Sequence, residues 1–350
     1  MAIEEKVQVA MSCITEIEAA ELFRLFGREP DRIQALYGGY CSSNFRVDFR
    51  EADGSKVVRL LKVNYSGHTV EDLEHQLFVM GELRNSGFPT NYPHPAPDGN
   101  LIVERDGWRA MLLDFVTGVG GEKLMANQLL VPLVLADLAR ALARLHGVVW
   151  PNRELRDIYS GFPVCDTGTL LKGERLGELE ADPRLAPMPF VTYLRRRLPW
   201  LQELYRRELP WGLIHGDGFL DNTIYADDSA CCRLLALFDW EDSCVAPYVL
   251  DLAVCASACC FTSANELMTD RLRVLVESYA SERPLSSAES ASFVDFMAAG
   301  ALACAFYRFC QFFVPEAESE AKESYVVMFD RARQLEEGSI RSAMSSLLEQ

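Results

Sequence analysis

Leu213-Ile-His-Gly-Asp-Gly-Phe-Leu-Asp-Asn-Thr-Ile-Tyr225, followed by Leu234-Leu-Ala-Leu-Phe-Asp-Trp240, decides how this chain is read. The first stretch sets a histidine, two carboxylates and a carboxamide into a short turn between apolar runs. The second places another carboxylate, Asp239, at the end of an apolar run. Apolar residues so close to charged ones predict strand ends that open onto a cleft. Asp and Asn are hard oxygen donors suited to Mg²⁺, which prefers carboxylates plus phosphate oxygens to an all-protein cage. Phosphoryl transfer uses that layout: one carboxylate accepts a hydroxyl proton, while a carboxamide and a second carboxylate hold metal on a triphosphate. Asp217 and Asn222 are five residues apart across the turn, so both can face one site. A single Asp or Asn reads equally well as a turn cap, but the joint pattern does not.

Working outward, residues 14–27 predict a helix, with Ile14, Ile17, Ala20, Phe23 and Phe26 at helical spacing and Gly27 closing it. Asn44–Phe49 and Lys56–Val63 alternate around Asp53-Gly54, which predicts a hairpin. A helix is expected over 69–85, ending at Gly87. A second hairpin joins Leu101–Glu104 to Arg109–Phe115 around Asp106-Gly107. After Gly118-Val-Gly-Gly121 helical patterns dominate, over about 127–146, 189–207, 248–261, 267–281, 286–313 and 318–347. Strand-like pieces there are expected only around 222–225 and 234–239. The chain therefore reads as α+β and bilobal: a small antiparallel β lobe with an inserted helix, a glycine-containing connector, and a larger helical lobe. The cleft would lie between them.

The bulk composition agrees with a folded enzyme. A length of 350 residues suits two domains. Lys and Arg total 34 against 51 Asp and Glu, a formal charge of −17. Such a surface repels phosphate backbones, so nucleic acid is not an expected partner. It attracts cations, including Mg²⁺ and amine-bearing substrates, or simply aids solubility. Met1-Ala-Ile-Glu-Glu-Lys lacks the pattern of a secretory signal. No apolar run reaches the ~18–20 residues a bilayer span needs, so no membrane partner is expected. The 11 cysteines are odd in number, irregularly spaced and without a C-x-x-C pair. They read as buried free thiols in a reducing cytosol, which makes the expected location cytoplasmic.

His215-Gly-Asp-Gly-Phe-Leu-Asp-Asn222 and Leu237-Phe-Asp-Trp240 resemble the catalytic loop and metal-binding segment of the aminoglycoside-phosphotransferase/choline-kinase-like superfamily. That resemblance implies a protein-kinase-like fold that phosphorylates small molecules with ATP and Mg²⁺. A nucleotide-binding lobe would occupy residues 1–117, and a helical lobe with catalytic loop and substrate site 118–350. By the same resemblance Asp217 is the catalytic base, and Asn222 and Asp239 hold Mg²⁺ on the β- and γ-phosphates. His215 is a structural brace. Asp251, in Tyr248-Val-Leu-Asp-Leu-Ala253, matches an aspartate that ties down the catalytic loop; its other reading is a plain acid near a helix N-terminus. Lys62, on an apolar strand where an unpaired charge is costly, would reach the α- and β-phosphates and pair with a helix glutamate. Glu74 is the candidate partner, with Glu71 second and Gln76 a possible occupant of the glutamate position. Arg59, three residues from Lys62, points to the opposite face. Tyr37–Val47 resembles the nucleotide-covering loop, where Gly38 and Gly39 permit a tight backbone and Ser42 and Ser43 could donate to phosphate. Leu113–Gly118 would be the hinge, with Asp114 and Val116 meeting the adenine through backbone groups.

Phe219 and Asp221 around Leu220, Ser43-Asn44-Phe45 and Asp251-Leu-Ala253 resemble the homoserine kinase branch. The chain departs from it at Gly218, at Trp240-Glu241 in place of Phe-Tyr, and at Cys244-Val-Ala-Pro247, which lacks an acid ahead of the proline. These departures leave kinase chemistry intact and the acceptor open: homoserine, hydroxylysine, choline or ethanolamine, or an aminoglycoside. Glu241 and Asp242 could bind a substrate ammonium or be solvated loop acids. The oligomeric state is not legible. A catalytically silent nucleotide-binding module is the competing reading, and the joint presence of Lys62, Asp217, Asn222 and Asp239 argues against it. A protein kinase is disfavoured because no Arg precedes Asp217 and no Ala-Pro-Glu follows Asp239. Asp251 comes only twelve positions after Asp239, too soon for an activation segment.

Overall fold

A computed structural model of the chain describes residues 14–36, 42–64, 69–150, 167–227, 232–315, 321–336 and 341. They fall into two compact units, one drawn from Gln8–Gly118 and Leu235–Glu241, the other from Val119–Leu234 and Asp242–Gln350 together with the first residues of the chain.

In the first unit, α1 (Glu16–Arg24) starts at Thr15, whose hydroxyl accepts from the Glu18 N–H while the Glu18 carboxylate accepts from the Thr15 N–H. β1 (Pro30–Leu36), β2 (Ser42–Arg50) and β3 (Lys56–Asn64) follow. The α1 residues Ala19, Leu22 and Phe23 share one buried cluster with Phe45, Val47 and Phe49 of β2 and Leu61 and Val63 of β3. Their period of two turns one sheet face to α1. At the β2–β3 turn Gly54 takes φ +83, and the Asp53 carboxylate accepts from the Ser55 N–H at 2.9 Å. That turn sets the register, which pairs Asn44 with Lys62 and Phe45 with Leu61. Then come α2 (Val70–Ser86), β4 (Pro93–His94), β5 (Val103–Arg105) and β6 (Trp108–Asp114). The antiparallel order is β1-β2-β3-β6-β4, with β5 on β6 through the Asp106-Gly107 turn. β1 was not expected. It is an edge strand exposed at Asp31, Arg32, Gln34 and Ala35, so it lacks the apolar alternation that marks a half-buried strand.

The second unit contains β7 (Val119–Gly120), α3 (Gly121–Leu124), α4 (Val131–His146), α5 (Thr167–Lys172), α6 (Glu174–Ala181) and α7 (Pro189–Leu204). It continues with β8 (Trp211–Ile214) and β9 (Thr223–Tyr225). Through β10 (Leu234–Leu237) the chain passes into the first unit, and it returns for β11 (Cys244–Pro247), α8 (Tyr248–Cys259), α9 (Thr269–Glu282), α10 (Ser287–Arg308) and α11 (Ser324–Gln334). α10 is buried on every face from Ser292 to Phe306, the mark of a central core helix. A π turn, Phe309–Phe313, extends it, and the Phe309 ring packs 5.1 Å from Phe190 of α7 and 5.0 Å from Tyr325 of α11. Here one expectation is corrected. Ser287–Phe313 is long and apolar enough to cross a bilayer by length and composition, yet 83% of its most apolar stretch is buried inside the protein.

Two further differences bear on the site. α5 and α6, six and eight residues long, escaped notice because each is short and Gly173 at φ +76 separates them. β8 and β11 escaped because four residues show no periodicity. They pair antiparallel, Ile214 with Cys244 and Trp211 with Pro247, while β7 pairs β9. Residues 215–222 thus leave one paired strand and enter another. Of the helix expected over 318–347, the structure shows α11, which begins at Ser324 and ends at Gln334 with Leu335 as its C-cap; residues 337–340 and 342–347 lie outside the described residues.

Candidate active site

Within the helical unit, the turn from His215 to Asn222 is organised by hydrogen bonds to its own backbone. His215 is fully buried, and its Nδ1 accepts from the Asp217 N–H at 3.2 Å. The contact is made by accepting from an N–H, where a brace donating to backbone carbonyls was expected. The Asn222 amide donates to the Asp217 carbonyl at 3.0 Å and to its carboxylate Oδ2 at 2.8 Å. Both amide hydrogens are thereby turned toward Asp217, which points the Asn222 Oδ1 elsewhere. Gly216 sits at φ +85, and a Cβ there would come within 2.3 Å of the Asp242 carbonyl oxygen, so only glycine fits. At Gly218, a departure from the homoserine kinase pattern, a Cβ would meet Leu142 of α4 at 3.4 Å, an ordinary contact, so the structure does not require glycine there.

Asp251, in the first turn of α8, is fully buried. Its Oδ2 accepts from the His215 N–H at 2.9 Å and its Oδ1 from the Gly216 N–H at 3.0 Å. His146 Nε2 also lies 3.0 Å from Oδ2. Burial pushes the carboxyl pKa up, but the hydrogen bond from His146 and that from the His215 N–H more than reverse this and hold it below the ordinary carboxylate value. A folded-state pKa below the unfolded ~3.9 adds stability above about pH 4, which is lost as the pH falls through the folded value. In urea unfolding from pH 6 down to pH 2, the wild type should therefore lose more stability than Asp251→Asn. Parallel curves would refute the assignment.

Lys62 belongs to the β-rich unit and is 8% exposed. Its ammonium donates to Asp239 Oδ1 at 2.6 Å and to Glu241 Oε2 at 3.3 Å. Burial favours the neutral amine, yet the charges of Asp239 and Glu241 and their hydrogen bonds overcome it and raise the pKa above that of an ordinary lysine. The expected partner Glu74 is exposed on α2, as is Glu71, while Gln76 is buried. The acids that meet Lys62 come from the segment after β10, not from α2. Glu241 is likewise corrected: expected near a substrate ammonium, its carboxylate accepts from Lys62. Asp239 sits at φ +70, unusual for a residue with a side chain. Its neighbours hold it there: Trp240 is buried with its indole N–H donating to Thr90 at 2.9 Å, and the Leu237 N–H donates to the Pro89 carbonyl at 3.0 Å. The departure at Trp240 thus anchors the residue next to Asp239.

The remaining expectations are placed as follows. Ser42 and Ser43 open β2 and are half-buried, paired with Asn64 and Val63. Gly39 lies outside the described residues. The Asp114 carboxylate joins His94 at 2.6 Å and accepts from the Tyr92 N–H at 3.3 Å. Its burial is outweighed by the His94 contact, so its pKa is lowered. Val116 is half-buried just past β6. Asp242 is 3% exposed, no solvated loop acid, and packs in the helical unit beside Gly216. Asn222 offers a carboxamide oxygen in the helical unit and Asp239 a carboxylate in the β-rich unit, each a hard donor of the kind Mg²⁺ takes. Among the described residues no group of three or more His, Cys, Asp or Glu forms a protein cage for a metal. Sequence reasoning missed His146, Tyr279 and Arg283. The available signal was a histidine closing a strongly amphipathic helix, α4.

Comparison with known proteins agrees with this arrangement. A family model described as the phosphotransferase enzyme family matches residues 32–285. The chain is 28% identical to the homoserine kinase of Nitrobacter hamburgensis over 229 residues, covering 64% of this chain and 63% of that one. It is 30% identical to the homoserine kinase of Agrobacterium fabrum over 224 residues, 62% of each. The match thus spans less than two thirds of the length of these curated relatives. Among solved structures, an amicoumacin kinase in complex with AMP-PNP and Ca²⁺ superposes with a TM-score of 0.68 at 13% identity, covering 92% of this chain and 94% of that one. The fold is that of the protein-kinase-like phosphotransferases.

Proposed function

Because the chain belongs to the phosphotransferase enzyme family, whose model matches residues 32–285, we propose that it is a Mg²⁺-dependent kinase that passes the γ-phosphoryl group of ATP to a hydroxyl of a small, amine-bearing acceptor, homoserine-like before others. The observation that carries this reading is the Asp217–Asn222 pair. The Asn222 amide holds the Asp217 carboxylate at 2.8 Å, fixing its direction. In the reaction Asp217 takes the proton of the acceptor hydroxyl as that oxygen bonds to the γ-phosphorus. The bond from phosphorus to the β,γ-bridging oxygen breaks, and ADP leaves with the electron pair. Mg²⁺, when bound, neutralises charge on the β- and γ-phosphates, and Asn222 and Asp239 would hold it. Lys62 meets the phosphates, Ser42 and Ser43 cover them, and the backbone at Asp114 and Val116 receives the adenine. Residues 1–117 serve the nucleotide, and 118–350 carry the catalytic loop and the acceptor site.

The homoserine kinase relatives support the choice of acceptor. A screen of ATP consumption against homoserine, hydroxylysine, choline, ethanolamine, methylthioribose and aminoglycosides, with Mg²⁺ and with EDTA, tests it. Expected is metal-dependent turnover of an amino alcohol, homoserine foremost. ATP binding with no acceptor phosphorylated across the panel would instead establish a silent nucleotide-binding module.

A further inference from the structure

We propose that Arg283, Tyr279 and His146 form a one-way hydrogen-bond chain that fixes Asp251, and through it the His215–Asp217 turn, making them positioning residues for the catalytic loop. The inference rests on the reading of Asp217 as the base. The geometry is continuous within the helical unit. Arg283 Nη1 donates to the Tyr279 hydroxyl oxygen at 3.2 Å. That hydroxyl lies 2.6 Å from His146 Nδ1, and His146 Nε2 lies 3.0 Å from Asp251 Oδ2. Asp251 in turn accepts from the His215 and Gly216 N–H groups. A guanidinium can only donate and a carboxylate can only accept. With its oxygen accepting from Arg283, the Tyr279 hydroxyl spends its single proton on His146 Nδ1. The imidazole proton is then left on Nε2, where it serves Asp251. The ends of the chain therefore select one tautomer of His146.

The chain is protected from competing partners. His146, Tyr279 and Asp251 are buried, and Tyr248 stacks on the His146 ring at 4.6 Å. The Arg283 guanidinium lies 4.6 Å over the Tyr248 ring and donates to Glu289 at 2.9 Å. Glu289 is itself fixed, accepting from the Ser286 N–H in the capping box of α10. One set of contacts thus links the start of α10, the end of α9, the end of α4 and the start of α8 to the turn that carries Asp217. A buried network with every member satisfied rigidifies its surroundings.

Tyr279→Phe removes one hydroxyl and keeps the ring, so it tests the chain with little change in packing. Two readouts separate this inference from the kinase reading. Amide hydrogen exchange at His215 and Gly216 should accelerate about tenfold in Tyr279→Phe, and the ¹⁵N shift of His146 Nδ1 should change from that of an unprotonated acceptor. In turnover, kcat should fall about 10- to 100-fold with KM for ATP unchanged. Arg283→Met should reproduce the loss, and Arg283→Lys, which restores a donor, should recover most of it. Unchanged exchange at both amides, or kcat within twofold of wild type in a folded Tyr279→Phe protein, would overturn the proposal. Faster exchange in a protein that phosphorylates no acceptor would keep the chain and remove the kinase reading.

Discussion

Asp217→Asn should lower kcat by about 10³-fold, within the ~10²–10⁴ that a positioned general base contributes. The substitution is nearly isosteric. The new carboxamide can still offer an oxygen to the Asn222 amide, which now donates to Asp217 Oδ2 at 2.8 Å. His215 Nδ1 still accepts from the backbone N–H at position 217. The turn should therefore persist, with ATP affinity and melting temperature close to wild type, while the proton of the acceptor hydroxyl has nowhere to go. ADP formation with the best acceptor, measured beside ATP binding, separates the two effects. A variant that turns over at the wild-type rate would remove Asp217 from the role of base.

The second large effect is expected at Lys62. Lys62→Met leaves Glu241, 8% exposed, without the cation 3.3 Å away, and Asp239 without the one 2.6 Å away. Breaking a buried ion pair by removing one partner costs about 3–5 kcal/mol, because the remaining charge stays desolvated. The share from Asp239, 30% exposed, is reduced by solvent screening. Glu241→Gln in the Lys62→Met background should restore part of the lost stability by removing the more buried of the two charges that lose Lys62. In the proposed reading, which gives the phosphate contact to Lys62, it should restore none of the ATP affinity. Urea midpoints and ATP titrations of the two single variants and the double variant form a cycle that isolates the pair. If Glu241→Gln destabilised the Lys62→Met protein further, the pairing seen between Lys62 and Glu241 would not be the source of the loss.

The helix partner of Lys62 shows where reading the chain reached its limit. Lys62 could be recognised as a buried cation because its strand is largely apolar, a property of nine consecutive residues. Which acid answers it could not be read. Glu74, Glu71 and Gln76 all lie within one helix, and the acids that meet Lys62 lie 177 and 179 positions away. The same division runs through the rest of the molecule. The two Asp-Gly hairpins, helix α2 with its closing Gly87 and the long helices of the second unit are written in local periodicity and turn chemistry. β1 escaped because an edge strand exposed at most positions has no pattern to display, and β8 and β11 because each is four residues that become strands only by pairing with each other.

The sequence by itself determined the protein-kinase-like α+β fold and the elements of the catalytic turn. Asp217 and Asn222 are five residues apart, so the backbone alone brings them within a hydrogen bond of each other. Tertiary structure decided everything that depends on residues distant in the chain. It gave Lys62 its partners after β10, set Trp240, the residue next to Asp239, against Thr90, and placed His146 and Tyr279 behind Asp251. The physical reason is that short-range geometry is imposed by the covalent chain. A buried charge or polar group, by contrast, must find its partner wherever packing places one, and sequence separation does not enter that condition.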